Sequence, residues 1–299
     1  MIKRIWIYLK EMFPVFSRLM VGLGLFFGLY FIILLNNDIT DFRIGAQEII
    51  GALTVFVFLL LLRIADDFKD YETDMKLFPK RPLPSGRVKK NDLIILLVST
   101  NLPMIILNMI FMNNLPFFAL LYGYGFLMYI WFFRKSKIQN NLVMALITHN
   151  PIQIIISIYV ISFICIKYGI NWATLIIIAA AFAMYLPALI WEVARKIRAP
   201  KDETEYVTYS KLFGYKKATL LVVALILLSL VTSYILVWGL NKIAFILLVI
   251  NVVWVIVDLT RFIKNPDHFT AVSKVTRYIF IQEAIMVVAI VTFLMIGRM

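Results

Sequence analysis

Charge is scarce in this sequence, and cysteine is nearly absent. Only 16% of the 299 residues are Asp, Glu, Lys or Arg, while 62% are apolar, and that balance is too greasy for a water-soluble domain. Ordinary soluble, secreted, fibrous and disordered classes are therefore excluded. Cys165 is the sole cysteine and lies in an apolar run, so one chain can build neither a disulfide framework nor a thiolate metal cluster. Acids are scarcer than bases, 17 against 30, for a formal charge of +13. The bases sit in short segments between apolar runs, so they read as topology signals and as partners for an anionic, membrane-borne substrate rather than as a nucleic-acid surface.

Long apolar runs are what the chain does have. Nine of them, at 19–35, 44–64, 93–111, 115–133, 142–166, 172–191, 218–240, 243–259 and 278–296, approach the length of about 20 residues that carries a helix across a bilayer. The first resembles a signal peptide behind Lys3, Arg4, Lys10 and Arg18, but no small-residue cleavage site follows, so it counts as a span. The expected fold is all-α, one polytopic domain over residues 1–299 with nine transmembrane helices. With nine spans, 26 of the 30 Lys and Arg fall on the side of the first residues, leaving only Arg43, Lys167, Lys242 and Arg298 opposite. The positive-inside rule then makes that side cytoplasmic, in a plasma or inner membrane. Two long polar loops, 66–91 and 192–215, lie on it. Pro103, Pro151 and Pro187 fall within spans, where a kink is tolerated.

The first loop opens with Asp66, Asp67, Asp70, Glu72 and Asp74, five acids in nine residues at the mouth of the second span. On a continuing helix, Asp67, Asp70 and Asp74 fall three and four apart, and Asp66 lies four before Asp70, so the carboxylates share a face. Like charges so placed repel unless a cation joins them. Hard oxygen ligands suit magnesium, which keeps waters and shares its shell with substrate phosphates; a solvated acidic helix end is the alternative. The stretch Lys80-Arg81-Pro-Leu-Pro-Ser-Gly-Arg87 supplies the opposite charge, with Pro82 and Pro84 stiffening the backbone and Gly86 permitting a turn that holds Arg81 and Arg87 toward the acids. Metal plus guanidinium is a diphosphate clamp.

The run Asp66-Asp67-x-x-Asp70-x-x-x-Asp74, followed by Arg81-Pro-Leu-Pro-Ser-Gly-Arg87, resembles the first signature of the UbiA superfamily of intramembrane prenyltransferases, with Asp66 in place of the usual leading Asn. The resemblance implies a nine-helix bundle whose two acid-bearing cytoplasmic loops cover a lipid-open cavity. It also implies a second acidic motif, Asp-x-x-x-Asp after span six, for another magnesium ion. This chain departs there, reading Glu192-Val-Ala-Arg195-Lys196 and resuming its acids at Asp202 and Glu203. Either Glu192 with Asp202 or Glu203 completes a second metal shell across the Pro200 turn, or Lys196 contacts the diphosphate itself; a solvated acidic turn is the third reading. Arg63 and Lys137 resemble positions where the family places cations on the diphosphate, and topology anchoring accounts for them equally well. His149, Asp258 and Glu283 lie in or near spans, where ionisable groups are expensive and have partners.

The expected reaction is transfer of a prenyl group from a prenyl diphosphate to a small aromatic or quinone-precursor acceptor. Magnesium on Asp66, Asp67, Asp70 and Asp74, with Arg81, Arg87 and Lys137, stabilises the departing diphosphate, and the apolar surroundings keep water from the allylic cation. A terpene cyclase of the same superfamily would need no acceptor. A cation transporter is a more distant reading, because the acids crowd a loop mouth instead of the midplane of broken helices.

Overall fold

The computed structural model describes residues 1–205 and 207–297, so Arg298, counted above among the opposite-side cations, lies outside the described residues. Among these residues fourteen α-helices follow one another: α1 (Ile2–Met12), α2 (Val15–Asn36), α3 (Ala46–Lys69), α4 (Tyr71–Leu77), α5 (Lys90–Phe111), α6 (Leu115–Tyr129), α7 (Lys135–Gln139), α8 (Leu142–His149), α9 (Ile152–Tyr168), α10 (Leu175–Ala194), α11 (Tyr209–Phe213), α12 (Tyr215–Val237), α13 (Lys242–Lys264) and α14 (Ala271–Ile296). No strand occurs among the described residues.

Among the described residues, eight helical stretches are long and apolar enough to cross a membrane, counting α8 and α9 as one span interrupted at Asn150-Pro151. The ninth expected span is α6, which is shorter than anticipated at 15 residues, or about 22 Å at the α-helical rise. It stops before Phe133 because Trp131, Phe132 and Phe133 all take positive φ, between 49° and 58°. Three consecutive bulky residues in the left-handed region cannot continue a right-handed helix.

The chain divides into two compact units. The first comprises Met1–Tyr30, Asp41–Ser136 and Ile158–Gly169. In it α3 is the central helix, packed on α5 and α6. A Cβ on Gly51 would stand 2.3 Å from Phe26 Cε2, so glycine is what lets α2 and α3 approach, as small residues do between helices in lipid. Farther along α3, Thr54 Oγ1 accepts from Asn108 Nδ2 at 2.8 Å, while Asn108 Oδ1 accepts from Tyr159 OH at 2.8 Å. All three residues are fully buried, so α3, α5 and α9 satisfy one another's polar groups where lipid would not.

The second unit comprises Phe31–Thr40, Lys137–Ser157 and Ile170–Met299. Here α10 packs on α12 and α14, and α13 on α12 and α14, around buried Leu186, Ile190, Val222, Ile226, Val255 and Leu259. Asp258 finds its partner in this unit: it accepts from Arg277 Nη2 at 2.5 Å, and the Arg277 guanidinium lies 3.7 Å from the Trp254 ring centroid.

Candidate active site

The first acidic segment is built at a helix break. The α3 helix carries Asp66 and Asp67 and ends at Lys69; Asp70 (φ −100°, ψ 10°) is the joint, and α4 restarts with Glu72 and Asp74. The joint is closed by backbone bonds from Asp70 N–H to the Asp66 carbonyl and from Asp74 N–H to the Asp70 carbonyl, 2.9 and 2.8 Å. The shared face expected of these acids depended on the helix continuing through them; the joint at Asp70 divides them between two helices.

Each carboxylate then has a different environment. Asp67 is buried and accepts at both oxygens, from Arg63 Nη2 and from Tyr8 OH, each at 2.6 Å. Asp74, also buried, accepts from Arg81 Nη1 at 2.7 Å. Asp66 is half-exposed and pairs with Lys69 at 2.9 Å, and the Lys69 ammonium sits 4.6 Å from the Trp131 ring centroid. Asp70 has no hydrogen-bond or ion-pair partner for its side chain among the described residues. Its carboxyl is pushed above the ordinary carboxylate range, first by partial burial and then by the charges of Asp66 and Asp74, against the opposing pull of Lys69 and Lys135.

The Arg81–Arg87 stretch folds as expected into a tight turn. Gly86 takes φ +73°, a value glycine adopts without strain, and Val88 N–H reaches the Pro82 carbonyl at 3.0 Å. The turn aims Arg81 at the acids, as its spacing predicts. It does not aim Arg87 there: Arg87 makes a bidentate pair with Glu11 of α1 at 2.5 and 2.8 Å. Arg81 is engaged through one nitrogen and lies 4.0 Å from the Phe78 ring centroid. The Arg63 Nε–H is buried and finds no acceptor among the described residues, which leaves a donor for an anion.

Residues of the second loop belong to the second unit. Glu192 receives a bidentate pair from Arg195, 2.6 and 2.8 Å, and the Lys196 ammonium at 3.1 Å. Glu203 is turned inward and accepts from Thr208 at 2.9 and 2.8 Å and from Ser210. Asp202 is exposed on its turn. The structure therefore does not bring Glu192 together with Glu203, because each is satisfied by a different set of donors. Lys137, in α7, is exposed and unpaired among the described residues.

Among the described residues no three His, Cys, Asp or Glu side chains converge as a metal cage. Magnesium seldom uses an all-protein cage; one or two carboxylates, waters and substrate phosphates suffice. Unpartnered Asp70, with Asp66 and Asp74 close enough to perturb it, fits that donor set. In the second loop Glu192 and Glu203 are already neutralised or hydrogen-bonded, which leaves exposed Asp202 as the open acid of the three.

Sequence reasoning missed Tyr8, Glu11, Lys69 and Trp131. A signal for the first two existed: Arg4, Tyr8 and Glu11 lie four and three residues apart and share one face of an amphipathic helix.

Comparison with known proteins agrees with this layout. The model of the UbiA prenyltransferase family matches residues 25–282. A solved structure described as digeranylgeranylglyceryl phosphate synthase in membranes superposes with a TM-score of 0.62 over 98% of both chains at 17% identity, which establishes a shared fold. No curated protein matches the sequence. With most of its length matched and eight apolar helices of spanning length among the described residues, the chain belongs to the UbiA prenyltransferase family and is an integral membrane prenyltransferase.

Proposed function

We propose that this prenyltransferase requires magnesium held at the first acidic segment and prenylates a small aromatic or quinone-precursor acceptor. Asp70 is the observation that carries the reading: a partly buried carboxylate, crowded by Asp66 and Asp74 and bonded to nothing, is an unsatisfied cation site. Bound magnesium would neutralise the charge that grows on the departing diphosphate. The chain's own contribution is to hold that group. Arg63 offers its unclaimed Nε–H, and Arg81 keeps Asp74 in place through one nitrogen and has others to give, whereas Arg87 is committed to Glu11 and serves the turn instead. Apolar surroundings exclude water from the allylic cation.

Roles in the second unit stay as the sequence suggests them: Lys137 and Lys196 as cations for the diphosphate, and Glu192, Asp202 and Glu203 as acids of a second, incomplete motif. Pairing of Lys196 with Glu192 favours the cationic version, in which Glu192 sets the position of the ammonium. Residues 1–299 act as one catalytic domain, with the first residues and both acid loops cytoplasmic.

The purified protein is tested with prenyl diphosphates, magnesium and a panel of acceptors, the products being identified by mass spectrometry. The panel includes phenolic quinone precursors and a glyceryl phosphate acceptor, chosen because the structural neighbour is described as a digeranylgeranylglyceryl phosphate synthase. Prenylated aromatic product that disappears with EDTA and returns with magnesium is the expected result. A cyclised hydrocarbon formed without acceptor overturns the transferase assignment in favour of a cyclase, and product only from the glyceryl phosphate overturns the acceptor class.

A further inference from the structure

The amino-terminal helix α1 lies outside the residues that match the family, 25–282, yet it is fastened at three points, one on the acidic segment and two on the turn and helix that follow it. Arg4 makes a bidentate pair with Asp92, 2.6 and 2.8 Å, at the start of α5. Asp92 also accepts from Lys89 N–H at 3.0 Å, so the same carboxylate caps the helix that follows the arginine turn. Glu11 grips Arg87 on that turn. Between these two clamps Tyr8, four residues after Arg4 and three before Glu11, is fully buried and donates to Asp67 Oδ2 at 2.6 Å. Its ring packs among Leu60, Ile64, Leu83, Val88, Leu93 and Leu96.

The consequence for Asp67 follows from its two donors. Arg63 lies one turn earlier on the same helix and holds only Oδ1; a single contact leaves the carboxylate free to rotate about its terminal torsion, which is broad and two-fold. Tyr8 holds the other oxygen from a different helix and removes that freedom, leaving one further lone pair on each oxygen. The hydroxyl is the donor in this contact, because a carboxylate oxygen can only accept.

We propose that Tyr8 is a positioning residue, through which α1 fixes the orientation of the Asp67 carboxylate for the metal and the diphosphate. This rests on the reading of the first acidic segment as the metal and diphosphate site. Groups that orient a metal-binding carboxylate typically matter about tenfold or more for affinity or activity.

The test uses the full-length protein in detergent, with Mn²⁺ as the probe in the presence of inorganic diphosphate. Binding is read by electron paramagnetic resonance beside kcat and KM for the prenyl diphosphate. Tyr8→Phe keeps the ring and its packing, and a monodisperse gel-filtration profile with cooperative melting identifies folded protein. The expected result is Mn²⁺ affinity about tenfold weaker and a lower kcat, with Asp67→Ala losing Mn²⁺ binding altogether. Wild-type Mn²⁺ affinity in Tyr8→Phe, with binding lost in Asp67→Ala, overturns the positioning role and leaves the site assignment standing. A fall in kcat without a change in Mn²⁺ affinity marks a merely structural tyrosine and also overturns it. Unchanged binding in Asp67→Ala overturns the site reading itself, and the positioning role with it.

Discussion

Asp67 and Asp70 stand three residues apart in one signature, and truncating each to alanine separates catalytic from structural roles. Removing the Asp67 carboxylate strands two donors, the Tyr8 hydroxyl and Arg63 Nη2. A buried hydroxyl left without an acceptor costs about 1–3 kcal/mol. Breaking a buried ion pair costs roughly 3–5 kcal/mol, but the Arg63 side chain is 29% exposed, so solvent reduces its share to about 1 kcal/mol. Together Asp67→Ala loses about 3 kcal/mol. Asp70 satisfies no donor among the described residues and is crowded by like charge, so Asp70→Ala stays within about 0.5 kcal/mol of the parent. At roughly 2 °C per kcal/mol for a chain of this size, Asp67→Ala melts about 6 °C lower, while Asp70→Ala melts with the wild type. The assay is thermal unfolding of metal-free protein in detergent, beside magnesium-dependent turnover, which both variants lose. Equal melting temperatures for the two would refute the argument from hydrogen-bond partners, and full turnover in Asp70→Ala would remove the cation site.

Three further outcomes are expected. Gly51→Val drives side-chain atoms into Phe26, whose Cε2 is already 2.3 Å from an ideal Cβ, and lowers stability by about 1–3 kcal/mol; Gly24→Ala, with nothing within 4 Å, does not, and parallel melts separate them. Asn108→Leu loses the bonds to Thr54 and Tyr159 and costs about 1–2 kcal/mol, read from detergent unfolding; no loss would show that the bonds reform elsewhere. The hydrogen bond from Arg87 holds the Glu11 carboxyl below its ordinary value near 4.5, so its contribution is complete above that pH and fades as pH falls through the lowered folded-state value. The melting difference between wild type and Glu11→Gln therefore shrinks on acidification, and a difference that grows instead would reverse the assignment.

What the sequence discloses here follows from which constraints are local. Spans are legible because a bilayer demands an uninterrupted apolar length, and the acids of 66–74 are legible because five carboxylates in nine residues need a physical reason. The partners of those carboxylates are another matter. Tyr8 meets Asp67 across 59 residues, Glu11 meets Arg87 across 76 and Arg4 meets Asp92 across 88. Counting Arg4 and Lys10 alike as topology charges treats cations as interchangeable, whereas Arg4 is committed to a carboxylate. The helix break at Asp70 and the left-handed turn at Trp131–Phe133 are equally invisible to periodicity, since neither contains a glycine or proline to announce it. Spacing identifies which carboxylates form a motif; whether one is held in orientation by two donors like Asp67 or left without a partner like Asp70 depends on donors brought from elsewhere in the fold. A signature with a full set of acids can therefore carry fewer free ligands than its count implies, and at this site the residue left without a partner is the one at the helix joint.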